Sequence, residues 1–445
     1  MNDIPKLNIL LYCNRPDESE NAGTVIDHID AFQKYSQHEI LLWSSLMGLP
    51  SDGIMSKVDC IVIHYTLSLL YDKYIPRDSL ERIRSFKGLK ILFLQDEYRR
   101  VNFVCEKIKY AKIDLVFTCA PQDVASKIYA AFEDKLKFHT TLTGFVPEAL
   151  FDIEAKPIAK RTIDVGYRAR KCPFWLGEKS HDKFLIGSLF ANHTKSKGLN
   201  NDISSKEKDR IYGKQWIEFL SNCKATLGTE SGASLIDFTG EIEYQLNRYQ
   251  AFHPFSDFSG VPQKLLAKDG EIELQVISPR CFEAAVLGTV MILYPGDYSG
   301  ILKAGKHYLL LEKDFSNVDE VVEQLRDHKG LEQIAGQAKQ DLVQSGKYSF
   351  EHFILDFDQV IEDLREEKRW VPVNQSIGLL VAQHSEENGK DQQVKGLKLT
   401  LLLFFSKVWK NMPHWFRFLV SVTVLRKNFY SHLDVKKNAF LKLTD

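Results

Sequence analysis

Residues 273–294 read ELQVISPRCFEAAVLGTVMILY, and the fold turns on how they are parsed. Glu273–Ile277 has the character of a short strand. Ser278 is a natural helix N-cap whose side chain can accept a backbone N–H. Pro279 falls at the first helical position, where its missing donor costs nothing. Gly288 ends the helix, and Val290–Tyr294 restart a strand. Strand, short helix and strand in immediate succession point to a βαβ unit and a parallel sheet. Arg280 and Glu283 lie three residues apart, on one face of the helix's first turns, in a run that is otherwise apolar. Two readings follow: the pair neutralise each other, as buried charges do, or both face a cleft and hold a ligand.

Working outward, the first part of the chain alternates in the same way. Apolar runs at Leu7–Tyr12, Ile40–Trp43, Cys60–Ile63, Ile91–Leu94 and Leu115–Thr118 are short and apolar on both faces, as parallel strands are. Helical stretches such as Thr24–Tyr35 and Arg77–Phe86 lie between them. A doubly wound sheet places its ligands beyond the carboxyl ends of its strands. At those ends stand Asn14-Arg15, His64-Tyr65, Gln95-Asp96-Glu97 and Thr118. After a polar stretch around Glu154–Arg161, a second α/β unit begins at Thr162–Arg168, with a helix expected near Lys206–Leu220.

The sequence therefore predicts an α/β protein with two Rossmann-like domains facing across a cleft, plus a helical C-terminal tail. The expected divisions are 1–155, 160–370, a linker at 371–392, polar at 383–393 (QHSEENGKDQQ), and a tail at 393–445. Apolar residues at 350, 353, 354, 357, 360, 361 and 364 predict an amphipathic helix capped by Ser349, with Tyr348 and Phe353 forming a hydrophobic staple.

The 445 residues are 44% hydrophobic and 26% charged, with a net charge of −1. Those values fit a soluble globular protein and argue against a general nucleic-acid binder. The balance conceals an asymmetry: from Gln393 onward ten Lys/Arg face two acids, so the tail carries +8 and the remainder −9. Residues 397–425, LKLTLLLFFSKVWKNMPHWFRFLVSVTVL, interleave aromatic and basic residues and are divided by Pro413. This pattern suits an anionic membrane surface; the alternative is a pair of helices docked on protein. The seven cysteines include no C-x-x-C pair and read as buried apolar residues of a reducing compartment. With no signal peptide and no spanning run, the expected location is cytoplasmic, peripheral on the inner face of the plasma membrane if the tail binds lipid.

Several groups are candidates for chemistry. Thr229–Leu235, TESGASL, offers Glu230, Ser231, Gly232 and Ser234 as an anion-binding loop at a helix start, or as an ordinary capped turn. Tyr167–Lys171 places three positive charges, Arg168, Arg170 and Lys171, just after a strand; one or more could neutralise a diphosphate, or the stretch is a solvated basic loop. His64 closes a strand facing the cleft, where a sugar or a general base would be handled, or is an ordinary structural histidine; Asp96 and Glu97 end the next strand, where either could act as base or bind hydroxyls. Asp356-Phe-Asp358 matches an Asp-x-Asp metal motif, but residues two apart on a helix point away from each other, so no metal site is expected.

Arg280-Cys-Phe-Glu-Ala-Ala-Val-Leu-Gly-Thr-Val290 resembles the helix-and-strand motif of bacterial glycosyltransferases of the two-Rossmann GT-B, group 1-like class; Gly296–Gly300 and His307-Tyr308 also resemble segments of polysaccharide-cluster members. The resemblance implies that Glu283 binds the ribose hydroxyls of a nucleotide sugar and that Arg280 and Arg168 bind its diphosphate. It implies transfer of a sugar, without a cofactor and commonly without a metal, to a glycan or polyprenyl-linked acceptor in cell-surface polysaccharide synthesis. Donor binding is then expected at Glu283, Arg280, Ser278, Arg168, Glu230, Ser231, Gly232 and Ser234, and catalysis at His64, Asp96 and Glu97. Where many relatives carry a second glutamate eight residues before the first, this sequence has Gln275. A nucleotide-sugar epimerase of the same fold and a catalytically silent glycan-binding or assembly protein are the competing readings.

Overall fold

The computed structural model describes residues 6–16, 23–132, 135–373 and 377. The tail expected at 393–445 and nearly all of the 371–392 linker lie outside the described residues. Among the described residues the chain forms two compact units, a large one that holds both main sheets and a small one made of residues 173–175 and 240–267.

The first sheet is built from β1 (Asn8–Cys13), α1 (Gly23–Tyr35), β2 (Glu39–Ser44), α2 (Asp52–Met55), β3 (Cys60–Ile63), α3 (Arg77–Ser85), β4 (Leu89–Phe93), α4 (Val101–Ala111), β5 (Leu115–Thr118), α5 (Gln122–Ile128) and β6 (Lys137–Thr140). Its strand order is β2-β1-β3-β4-β5-β6, and every pairing is parallel. Strands β1, β3, β4 and β5 are buried along their whole length, which is why they read as continuous apolar runs.

The second sheet follows with β7 (Ile163–Arg168), α6 (Glu178–His193), β8 (Asn201–Ser204), α7 (Gly213–Asn222) and β9 (Cys223–Gly228). Then come β10 (Ser231–Ala233), α8 (Glu241–Phe252), β11 (Leu274–Val276), α9 (Pro279–Val286), β12 (Val290–Leu293) and β13 (Tyr308–Leu310). Its order is β13-β12-β9-β7-β8, again all parallel. Both sheets thus follow the same doubly wound path, in which the second strand lies on one side of the first and the third on the other. The reversal opens a crevice at the carboxyl ends, between β1 and β3 in one half and between β7 and β9 in the other.

The molecule is therefore α/β with two Rossmann-like halves, each with an apolar core on both faces of its sheet. The halves meet near their carboxyl edges. Thr143 Oγ1 donates to the carbonyl of Ile277 at 2.7 Å, and the amides of Val101 and Asn102 donate to the carbonyls of Asp237 and Phe238. Gly144 lies against Thr24 and Pro279 so closely that a Cβ there would sit 2.7 Å from the Thr24 methyl.

Four expectations change. The strand before α9 does not join the main sheet: β11 pairs with β10 in a separate antiparallel ribbon, so residues 273–294 are not a βαβ unit. Strands β6 and β8, exposed or half-exposed and carrying polar residues, gave no apolar run to read. The amphipathic helix is α12 (Phe350–Glu367), reached through α10 (Val318–Arg326), α11 (His328–Ala338) and a π-helical segment at Lys339–Gln344. It was expected with the second half, yet its buried Phe350, Phe353, Ile354, Phe357, Ile361 and Leu364 pack into the first half's core, Phe357 standing edge-on to Phe32 of α1. Phe353 therefore stacks on Phe145 while Tyr348 turns to Phe282, and the expected staple between them does not form. Ser349 does cap the helix, accepting the His352 N–H at 3.0 Å. The seven cysteines are free and buried.

Candidate functional site

The site is built around α9. Pro279 stands at its first turn, and Gly288, with φ +62°, takes the left-handed conformation that ends it. Ser278 precedes the helix, but its side chain makes no cap; its carbonyl accepts the Cys281 N–H instead. The rear of α9 is sealed by Cys281, Phe282, Ala284, Ala285 and Val286.

Its front carries Glu283 and Arg280, and among the described residues they do not form an ion pair with each other. Trp216 of α7 serves both. Its indole N–H donates to Glu283 Oε2 at 2.8 Å, and its ring lies under the Arg280 guanidinium, 4.9 Å from centroid to carbon. Arg280 is fixed further by donating to the carbonyl of Arg168 at 2.6 Å. Glu283 as a residue is half-buried. Burial raises its pKa, opposed by the Trp216 hydrogen bond and the Arg280 charge.

Lys183 of α6, which the sequence reading passed over, completes the cluster. Its ammonium donates to Ser231 Oγ at 3.0 Å, and among the described residues no carboxylate pairs with it. Burial lowers its pKa, and Arg280 and Arg170 lower it further. An ammonium with the thiols of Cys172 and Cys281, two cations and a hydroxyl close by but no carboxylate partner is suited to take up an anion. This group lies at the crevice between β7 and β9.

Other expected residues are placed differently. The Arg168 guanidinium is consumed by its own half: it donates to the carbonyls of Asp209, Tyr167 and Asp202, pairs with the Asp202 carboxylate at 2.8 Å and covers Phe219. It is a brace for β8. Residues 231–233 form β10, not a loop opening a helix; Gly232, at φ +131°, lies against the β11 backbone where a Cβ would clash. Ser234 Oγ accepts the Lys179 N–H at 3.1 Å, which secures the start of α6. Glu230 accepts the Tyr298 N–H at 2.8 Å and faces a small polar pocket beside the cation cluster.

On the first half, His64 is 0% exposed, with Nε2 3.0 Å from His28 Nδ1 and Nδ1 3.0 Å from Thr66 Oγ1. Both ring nitrogens are occupied, and burial holds its pKa well below the usual histidine value; this is a neutral structural imidazole. Glu97 is also enclosed. It accepts from Thr118 Oγ1, the Cys119 N–H at 2.9 Å and the Tyr129 hydroxyl, which leaves it a strut under the β4 and β5 ends. Asp96 is exposed and accepts from Tyr98 at 2.7 Å. It lines a cavity of about 90 Å³ with an apolar floor of Leu67, Val101 and Val104. Asp27 of α1 faces the α9 side: burial, Asp30 and Glu283, in that order, raise its pKa to about 6.

Asp356 and Asp358 point apart, the first to His139 at 2.7 Å and the second to Ser36 and the Gln37 N–H. Among the described residues no three His, Cys, Asp or Glu side chains gather as metal ligands, and no helix is long and apolar enough to cross a membrane.

No protein-family model matches the sequence, and no curated protein matches it. Among solved structures the chain is similar to an α-glucosyltransferase in complex with UDP, at 10% identity over 80% of this chain and 99% of that one, with a TM-score of 0.49. It is similar to Anabaena HepE in complex with UDP-glucose, at 10% identity over 81% and 100% of the two chains, TM-score 0.43. It is also similar to AviGT4, a glycosyltransferase involved in avilamycin A biosynthesis, at 12% identity over 81% and 97%, TM-score 0.39.

Proposed function

We propose that the protein is a glycosyltransferase that moves a sugar from a nucleotide-diphosphate donor to a glycan or lipid-linked acceptor. The observation that carries this reading is the unpaired ammonium of Lys183 beside Arg280, at the same crevice as the half-engaged carboxylate of Glu283. Cations without a counter-ion suit a diphosphate; a carboxylate with one oxygen fixed and one open suits a pair of ribose hydroxyls. Breaking the glycosidic bond leaves negative charge on the departing nucleotide, and fixed positive groups stabilise that charge without reorganising. The acceptor is assigned to the first half, at the cavity beside Asp96. Nothing in the proposed site requires a cofactor.

The +8 tail is assigned to an anionic membrane surface on the cytoplasmic side, where polybasic segments gain about 1 kcal/mol per charge near the lipid. Liposome co-sedimentation of the full chain and of a chain ending near residue 390 checks this; equal pelleting of both refutes it.

The donor assignment is tested by thermal shift with UDP, GDP, ADP and their sugar conjugates, followed by turnover of any conjugate that binds. A stabilising nucleotide sugar whose effect disappears in Glu283→Ala is the expected result. Unchanged affinity and turnover in that variant would overturn the site. Incubating donor alone separates a transferase, which hydrolyses it slowly, from an epimerase, which yields a new nucleotide sugar.

A further inference from the structure

We propose that Asp27 is the general base of the transfer, taking the proton of the acceptor hydroxyl where the two halves meet. This rests on the donor reading above and adds to it the group that activates the nucleophile, a role that the enclosed His64 and Glu97 do not fill. Asp27 lies on the front of α1, the helix that follows β1 at the crevice of the first half. One turn earlier, Thr24 meets Pro279 of α9 at Gly144, where a Cβ would come 2.7 Å from the Thr24 methyl and 2.9 Å from Pro279 Cγ. Residues three and four apart share a helix face, so Asp27 follows Thr24 on α1 as Glu283 follows Pro279 on α9. On its other side His28, the next residue, packs edge-on against Tyr65 with ring centroids 5.1 Å apart. Tyr65 lines the cavity beside Asp96 that is assigned to the acceptor. Asp27 is thus bracketed by the donor helix and the acceptor cavity.

The neighbouring carboxylates are already engaged. Asp30 accepts from Arg15 Nε at 3.0 Å and from Arg15 Nη2 at 2.8 Å. Glu148 takes the Lys34 ammonium at 2.7 Å and the Tyr35 hydroxyl, and Glu283 takes the Trp216 N–H. Asp27 is half-buried, yet among the described residues it has neither a hydrogen bond nor an ion pair. Burial first, then Asp30, Glu283 and Glu148, raise its pKa to about 6, with Lys34 opposing them. A carboxylate held among like charges in a crevice is a group set aside for chemistry. One that titrates near 6 is ionised at neutral pH and still basic enough to accept a proton.

In the transfer step the acceptor oxygen forms its bond to the anomeric carbon while its proton passes to the Asp27 carboxylate. The bond from that carbon to the diphosphate breaks, and its electron pair leaves with the nucleoside diphosphate. The negative charge so formed lies on the side of Lys183 and Arg280, away from the carboxylates of α1. Asp27 then returns its proton to solvent as the products depart.

The test follows release of nucleoside diphosphate from UDP-glucose, GDP-mannose and ADP-glucose by the full-length protein, with water as acceptor, in wild type, Asp27→Asn and Asp27→Ala. A positioned proton acceptor contributes about 100-fold or more, so release should slow by that factor in both variants while nucleoside diphosphate affinity, read by calorimetry, stays within about twofold. The wild-type rate should fall as pH drops below about 6, and that limb should be absent from the variants. Azide attacks without losing a proton, so adding it should restore diphosphate release in Asp27→Ala and yield a glycosyl azide, which a merely structural aspartate would not do. Near-wild-type release in Asp27→Asn, loss of diphosphate affinity in either variant, or no rescue by azide overturns the assignment of Asp27 and leaves the donor reading intact. A wild type that binds none of these donors, or binds them without releasing diphosphate, overturns both. Thermal midpoints check that the variants fold, and the pH profile of Asp27→Asn decides the question should Asp27→Ala unfold.

Discussion

The Trp216 indole nitrogen stands 2.8 Å from Glu283 Oε2, which fixes one carboxylate oxygen and leaves the other without a hydrogen-bond partner among the described residues. The carboxyl is thus oriented before any ligand arrives. Trp216→Phe keeps an aromatic ring under Arg280 and removes only the N–H. A hydrogen bond to a charged group contributes about 1.5–3 kcal/mol, so nucleotide affinity should fall about tenfold or more in this variant. Titration calorimetry measures it. Affinity equal to wild type would show that the indole does not position Glu283.

Lys183 yields a prediction in which stability and binding move in opposite directions. Its burial without a counter-ion costs the free protein, so Lys183→Met should unfold at a higher temperature than wild type while losing nucleotide diphosphate binding. The sign follows from the lowered pKa. The penalty is present while the folded-state amine is charged and fades as pH rises through its folded value toward the unfolded one, so the stability gained by the methionine variant should shrink in alkali. A fall in both stability and binding would instead identify Lys183 as an ordinary structural group.

Asp27 should make the protein less stable as pH rises from about 4 to about 6. Its carboxyl, raised to about 6 by burial and by Asp30 and Glu283, is disfavoured in the folded state only when ionised. The stability it retains is full below the unfolded value and is lost as pH climbs through the folded one. Asp27→Asn should remove that part of the slope and stabilise the protein at pH 7 by about 1 kcal/mol, after allowance for partial exposure. Denaturant midpoints at pH 4.5 and pH 7 make the comparison.

Glu97 is expected to act through the fold. Glu97→Ala strands the Thr118 and Tyr129 hydroxyls and the Cys119 amide in the interior. The loss should be about 3 kcal/mol, read by urea unfolding, with nucleotide affinity of the folded fraction unchanged. A variant of normal stability and no turnover would return Glu97 to the catalytic residues.

Much of the architecture was legible because β1, β3 and β5 are buried on both faces and bounded by polar residues, so their runs are unambiguous. Strands β6 and β8 were not, because partly exposed edge strands have no such run. The fate of Arg168 followed from that omission, since its partners, Asp202 and the 207–209 turn, come with β8. His64 was placed correctly at a strand end, but its role depends on His28, supplied by a helix whose packing no local pattern reveals. Glu283 and Arg280 stood out as charges in an apolar run. Lys183 had a comparable signal: it shares a helical stripe with Ile186, Gly187 and Phe190, and a lysine among such residues marks either a paired charge or a vacancy for an anion.

The return of α12 to the first half means that the backbone passes between the two sheets twice, once after β6 and once after the π-helical segment. The two passages are tied side by side, the Val146 N–H donating to the Tyr348 carbonyl at 2.8 Å, next to Gly346 at φ +71°. Twin connectors laced at one point give the two sheets a shared seam: sliding or twisting one sheet past the other must tear the lacing, and swinging about it must also part the Thr143–Ile277 and Val101–Asp237 bonds.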